Sequence, residues 1–263
     1  MWFPRRGGTQ VAAPHDGNPM SSTVRRSLLF AVLYFCEGAP IGFLWWALPA
    51  WWKDQGLTVD RIATMTAVLV LPWSLKWLWA PLIDWSSRWW PYRRWAISAQ
   101  IAMGLMLVPL PMLDPVGEAA WLMTVLVLHA LAAATRDASI DALCIASVDV
   151  ESRGTVNGWM QAGMLLGRAL FGGGALLLIA RTSLATTVAL LVTVLWFAAL
   201  VLVFWRPRNH TANKSHPPRE AKASSAPETG ISSLAPILLD RRIWIAVGFA
   251  LLGGAAFESV GSL

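Results

Sequence analysis

Seven ionisable residues stand where a polar side chain is hardest to keep. Glu37, Lys76, Arg136, Asp137, Asp141, Arg168 and Glu258 all fall inside long apolar runs. A charge at the centre of a hydrocarbon layer costs at least about 2.5–3.5 kcal/mol. Seven of them in one chain therefore point to purpose: a site for a solute or a proton, or an ion-pair lock between helices. Asp137 and Asp141 are four residues apart and share one face of a helix. Two carboxylates so close need a cation to stay ionised together, and Lys76 and Arg168 are the candidates. Glu37 is a weaker candidate for the same site. Arg136 projects about 100° away from Asp137 around the helix and is expected to pair elsewhere.

The order of these charges carries further information. The first apolar run holds an acid, the second a base and the third no charge. The fourth holds the two acids, the fifth a base and the sixth no charge. Three spans followed by three more reverse the orientation in a membrane, so acid–base–none occurring twice is the pattern of an inverted three-helix repeat. On this reading the two charge-free spans face lipid and the other four line a polar centre.

Backbone breakers accompany the charges. Glu37-Gly38-Ala39-Pro40-Ile41-Gly42 is expected to interrupt span 1 at mid-depth, and Pro72 and Pro81 flank Lys76. Gly163, Gly167 and Gly172-Gly173-Gly174 give span 5 a flat surface for close helix contact. His129 lies outward of the acids, and a hydrogen-bonded packing role outweighs a proton relay there.

The elements that must position these groups are helices. A span of about 30 Å needs roughly 20 mostly apolar residues. Seven stretches qualify: 27–52, 62–83, 95–113, 119–148, 157–180, 183–205 and 243–263. The fold class is therefore all-α, a polytopic membrane protein with a six-helix bundle of two inverted repeats and a seventh helix. Residues 1–26 form an N-terminal tail, 27–205 the six-helix unit, and 206–242 a polar linker rich in Pro, Ser and charge. With the N-terminus inside, fifteen Lys and Arg fall in cytoplasmic segments against three (Lys53, Arg61, Arg181) outside. That bias is the positive-inside rule, and Trp51, Trp52, Trp89 and Trp90 stand at interfaces in the same frame. The sequons at Asn209 and Asn213 then lie on the inner side and carry no meaning.

Composition excludes other classes. Only 14% of the 263 residues are charged and 56% are hydrophobic, against roughly 25% charge in a soluble domain. The formal charge of +6 is spread between apolar runs rather than gathered on one face, so the expected partner is a lipid bilayer and not nucleic acid. Cys36 and Cys144 make neither a disulfide framework nor a metal site. No nucleophile elbow, phosphate loop or His–acid cluster appears, so an enzyme is not expected, nor any cofactor.

Trp79-Ala80-Pro81-Leu82-Ile83-Asp84, followed by Arg88, Arg93 and Arg94, resembles the loop between helices 2 and 3 of the major facilitator superfamily, with its usual glycine absent. The longer run from Leu75 through Lys76 to Asp84 is similar to the AmpG-type muropeptide permeases and the related acetyl-CoA transporters. Asp137-Ala138-Ser139-Ile140-Asp141-Ala142, Glu151-Ser152-Arg153-Gly154, Gly167-Arg168 and Glu37-Gly38-Ala39-Pro40 agree with it. The resemblance covers about 24–205 and the start of helix 7. It implies a twelve-helix inner-membrane transporter that works by alternating access, moving a small solute with protons. Asp84 with Arg88, Arg93 and Arg94 would be the cytoplasmic latch, joined by Arg153. Because the second six-helix half is not in the sequence, the chain is expected to be either a fragment of a longer transporter or one that pairs with a separate C-terminal half, with Glu258 belonging to that half's surroundings. Two alternatives stay open: a carrier of acyl-CoA or another anionic solute, and a non-transporting membrane subunit or inactive fragment.

Overall fold

The computed structural model describes residues 19–205. The expected linker at 206–242, the seventh span at 243–263, Glu258 and most of the N-terminal tail lie outside the described residues. Within them every element is helical, and six spans are long and apolar enough to cross a membrane: Thr23–Asp54, Val59–Ser86, Tyr92–Met112, Ala119–Ser147, Val150–Arg181 and Leu184–Phe204. The first six expected spans are present, and spans 1, 2 and 5 run a turn or two further where polar residues continue the helix.

Local chemistry sets the turns between them. Span 1 ends at Gly56, whose φ of 89° suits a residue without Cβ. The N–H groups of Gly56 and Leu57 donate to the carbonyls of Lys53 and Trp52 at 3.0 and 3.1 Å, closing the helix end in a Schellman motif. Thr58 accepts from the Arg61 N–H to start span 2, and Ser183 accepts from the Thr186 N–H to start span 6. In the turn before span 4, Asp114 accepts from the N–H groups of Val116 and Gly117 at 3.0 and 2.9 Å. These two bonds, first among its influences, hold its carboxyl below the usual aspartate range.

Pro40 does not interrupt span 1, contrary to expectation. The α-helix runs from Pro19 through Pro40 to Gly42 and widens only afterwards, in a π-helical turn at Phe43–Ala47. Loss of one N–H donor is tolerated because the neighbouring turns keep their bonds. Span 5 widens likewise at Leu170–Gly174, and the two wide turns pack together. Span 2 is the one that breaks: Val59–Ser74 and Lys76–Ser86 are separate helices joined at Leu75, between Pro72 and Pro81.

Spans 1 and 5 form the closest seam. A methyl group on Gly163 or Gly167 would overlap the carbonyl of Ala31 or Phe35, and one on Gly38 that of Met164. Small residues on both helices therefore let the backbones touch. Gly173 and Gly174 meet open space and take no part in it.

The core consists of two apolar clusters, one at each end of the bundle. One gathers Phe43, Trp52, Leu69, Leu107, Leu122 and Leu191; the other gathers Phe30, Leu33, Ile140, Met160 and Leu202. Between them lies a polar layer of Glu37, Gln100 and Arg136, all buried.

The charge-free spans do not simply face lipid. Span 3 packs on spans 4 and 6, sends Gln100 into the buried layer, and accepts Trp196 of span 6 over Gly104. The most apolar stretches of spans 3 and 6 are 39% and 44% buried, against 17% and 22% for spans 2 and 5. Their lack of charge reflects packing behind the polar centre as much as exposure to lipid.

Candidate functional site

Two charge clusters occupy the middle of the bundle, and span 4 serves both. Because successive helical residues are turned by about 100°, Arg136 and Asp137 leave the same helix in different directions. Arg136 is fully buried and reaches three groups. It pairs with the Glu37 carboxylate, donates to the Leu33 carbonyl, and bonds Gln100 Oε1 through Nε at 2.6 Å. This network ties spans 1, 3 and 4 together. Burial of such a pair is tolerable only because its remaining donors are also satisfied.

Asp137 faces the other way. The ammonium of Lys76 lies 2.5 Å from its carboxylate and 3.7 Å from that of Asp141. The break at Leu75 places Lys76 at the first position of the following helix, where its side chain can reach across to span 4. Tyr34, on span 1, donates its hydroxyl to Asp141 and lies 3.5 Å from Asp137. Three spans thus converge on the acid pair. Asp137 is the more enclosed, with 15% of its side chain exposed against 46% for Asp141.

Beside this cluster is a cavity of about 360 Å³. Spans 1, 2, 4 and 5 line it, as the charge pattern implied. Tyr34, Glu37 and Ile41 come from span 1, Trp73 from span 2, and Asp137 and Asp141 from span 4. Asn157, Gln161, Met164 and Arg168 come from span 5. Span 5 repeats its polar positions at 157, 161 and 168, which share a face at helical spacing. A second cavity of about 440 Å³ lies between spans 2 and 4, running from Lys76 and Asp141 to Asp84 and Tyr92.

The geometry brings together Asp137, Asp141 and Lys76, and sets Arg168 and Glu37 on the same cavity. Glu37 differs from the others in being held by Arg136 and almost wholly enclosed, at 3% exposure. Of the two cations expected beside the acids, Lys76 pairs with Asp137 and Asp141, and Arg168 lines the cavity they share. His129 is buried and bonded through Nδ1 to the Met103 carbonyl at 2.9 Å, in a packing position.

The expected latch is not closed among the described residues. Asp84 accepts from the Tyr92 hydroxyl at 3.0 Å and forms no ion pair with Arg88, Arg93 or Arg94. Arg88 and Arg94 lie over the rings of Trp89 and Trp90. Arg93 donates to the Trp205 carbonyl at 2.7 Å, and Arg153 to the carbonyls of Val148 and Ile145. At that end Arg26 pairs with Asp149 at 3.3 Å. Arginine has enough donors to be satisfied by helix-end carbonyls, which sequence spacing does not reveal.

Sequence reasoning missed Tyr34, Gln100, Trp73, Asn157 and Gln161. One signal was available: the chain has seventeen Trp but two Tyr, and both tyrosines bond carboxylates.

Six apolar spans enclosing a charged centre and a polar cavity define a multi-pass membrane protein built like a solute carrier. The Major Facilitator Superfamily model matches residues 30–262; the chain belongs to that family. It is 33% identical over 132 residues to an uncharacterized protein of Haemophilus influenzae, covering 48% of this chain and 30% of that protein. Similarity to the putative transporter AmpG 4 of Rickettsia conorii is 29% over 152 residues, covering 56% and 36%. The anhydromuropeptide permease of Escherichia coli K12 is 27% identical over 153 residues, covering 57% and 31%. The chain spans about a third of the length of the curated relatives it matches. Family and relatives point to a transporter rather than an enzyme.

Proposed function

We propose that this chain supplies one six-helix half of a proton-coupled importer for a polar solute of the anhydromuropeptide type. The observation that carries the reading is the Lys76–Asp137–Asp141 cluster on the wall of a cavity lined by spans 1, 2, 4 and 5. Glu37, Asp137, Asp141 and Arg168 line that cavity, and Lys76 and Arg136 pair with its acids from outside, which makes three acids and three cations in one layer. Uptake of one proton leaves a single surplus positive charge in a low-dielectric setting, which one solute carboxylate offsets. Proton and solute are thereby made to travel together. The sugar-peptide class enters through the permease named in Escherichia coli.

In this reading the N-terminus is cytoplasmic and the protein resides in the inner membrane, as the Lys and Arg distribution supports. Asp84, Arg88, Arg93, Arg94 and Arg153 gate the inner side, forming their charge pairs in another state of the cycle. Alternating access needs a second bundle around the site, so a C-terminal half is the expected partner. A carrier of acyl-CoA or another anionic solute is the second reading, favoured by Lys76 and Arg168 standing on the two cavities that Asp141 joins.

The test is uptake of anhydromuropeptide by a permease-deficient bacterium expressing this chain alone or together with a second six-helix half. Proton-driven uptake by the pair supports the first reading. Membrane-inserted protein with uptake of acyl-CoA alone supports the second, and uptake of neither sinks both.

A further inference from the structure

Asp137 and Asp141 share Lys76 unequally. Asp137 is nearer to the ammonium, at 2.5 against 3.7 Å, and more enclosed. Asp141 alone of the two opens onto both cavities, the central one and the one that runs toward Asp84 and Tyr92. Between the two carboxylates sits the Tyr34 hydroxyl, bonded to Asp141 and 3.5 Å from Asp137. Tyr34 is buried, 5% exposed.

We infer that Asp141 is the carboxylate that gains and releases the proton, and that Tyr34 is its positioning residue, turning one hydroxyl between Asp141 and Asp137. With both acids ionised, Tyr34 donates to Asp141. When Asp141 takes a proton, its new O–H donates to the Tyr34 oxygen, and the Tyr34 O–H turns to Asp137. One proton is added, and no donor is left unsatisfied. Asp137 stays ionised against Lys76 throughout.

The charged and titratable groups facing this pair are few. They are Glu37 from span 1, Lys76 from span 2, Arg136 and Cys144 from span 4, Arg168 from span 5 and, along the second cavity, Asp84 from span 2 and Tyr92 from span 3. Glu37 and Arg136 are occupied with each other. Ala80, Ala138, Ala142 and Ala146 are among the residues that line the second cavity, and its volume of about 440 Å³ has room for water beside Asp141.

This inference deepens the proton-coupled reading of the site but is measured without transport. Infrared difference spectroscopy of the full chain in lipid bilayers, stepped between low and neutral pH, reads protonated carboxyl groups through their C=O stretch. A band that appears at low pH, is lost in Asp141→Asn and is kept in Asp137→Asn is the expected result. Tyr34→Phe removes one oxygen without changing shape; it should keep the band and shift its frequency, because protonated Asp141 has lost its acceptor. A band that survives Asp141→Asn, disappears in Asp137→Asn, or keeps its frequency in Tyr34→Phe overturns the inference. Loss of uptake with these spectra intact would instead overturn the transport reading.

Discussion

Lys76 and Asp137 stand 61 residues apart in sequence and 2.5 Å apart in space. The contact closes span 2 onto span 4 at the level where span 2 breaks. It leaves the ammonium within reach of Asp141 as well, so one cation serves two acids.

Removing either acid tests the site. Asp137→Asn and Asp141→Asn should each abolish proton-coupled uptake while leaving insertion and helix content unchanged, as read by membrane fractionation and circular dichroism. Lys76→Met leaves two acids without their cation, and should cost stability that Lys76→Met/Asp137→Asn partly restores. Normal transport by both Asn variants would remove these residues from the mechanism.

Glu37 and Arg136 should behave as a structural unit. Stripping one member of a buried ion pair costs about 3–5 kcal/mol, whereas replacing both by apolar groups is often neutral. Thermal unfolding in detergent should therefore show Arg136→Leu strongly destabilised and Glu37→Met/Arg136→Leu less so. If the double variant is as unstable as the sum of the two singles, the pair is not coupled.

The seam between spans 1 and 5 predicts position-specific glycine effects. Gly163→Ala and Gly38→Ala force backbone carbonyls apart and should lower stability by about 1–3 kcal/mol, the usual cost of overpacking. Gly173→Ala, which meets open space, should be neutral or slightly stabilising through helix propensity. Equal melting temperatures for all three would contradict the seam.

The turn at Asp114 has a defined pH dependence. Its folded pKa lies below the unfolded value, through the N–H groups of Val116 and Gly117. Its contribution is then fully present above the unfolded value, about 3.9, and is lost as pH falls through the lower folded value. The amide proton shifts of Val116 and Gly117 should titrate together in that acidic window and stay constant at neutral pH. A midpoint at or above the ordinary aspartate value would contradict the geometry.

Much of the fold was legible because insertion is a local property. Each of the six described spans shows itself in its own hydropathy, whereas the helix stop at Gly56 and start at Thr58 were not singled out. Seeing Gly163 and Gly167 as a contact face needed only helical spacing. The site was half legible. The costs of Asp137, Asp141, Lys76 and Arg168 singled them out, and angular spacing separated Arg136 from Asp137. Tyr34 and Gln100 were not singled out, because neither is charged and each acts through a partner about a hundred or thirty-six residues away.

The residues by themselves therefore determined the six long apolar helices among the described residues, which of them carry charge, and the glycine face of span 5 that touches span 1. These follow from partition energies summed along one segment at a time. Only the tertiary structure decided that Arg136 takes Glu37, that Lys76 takes the acid pair, and that Asp84 turns to Tyr92. Those choices depend on the rotation and crossing height of helices distant in sequence, where a turn of one residue swings a side chain by about 100° toward a different partner.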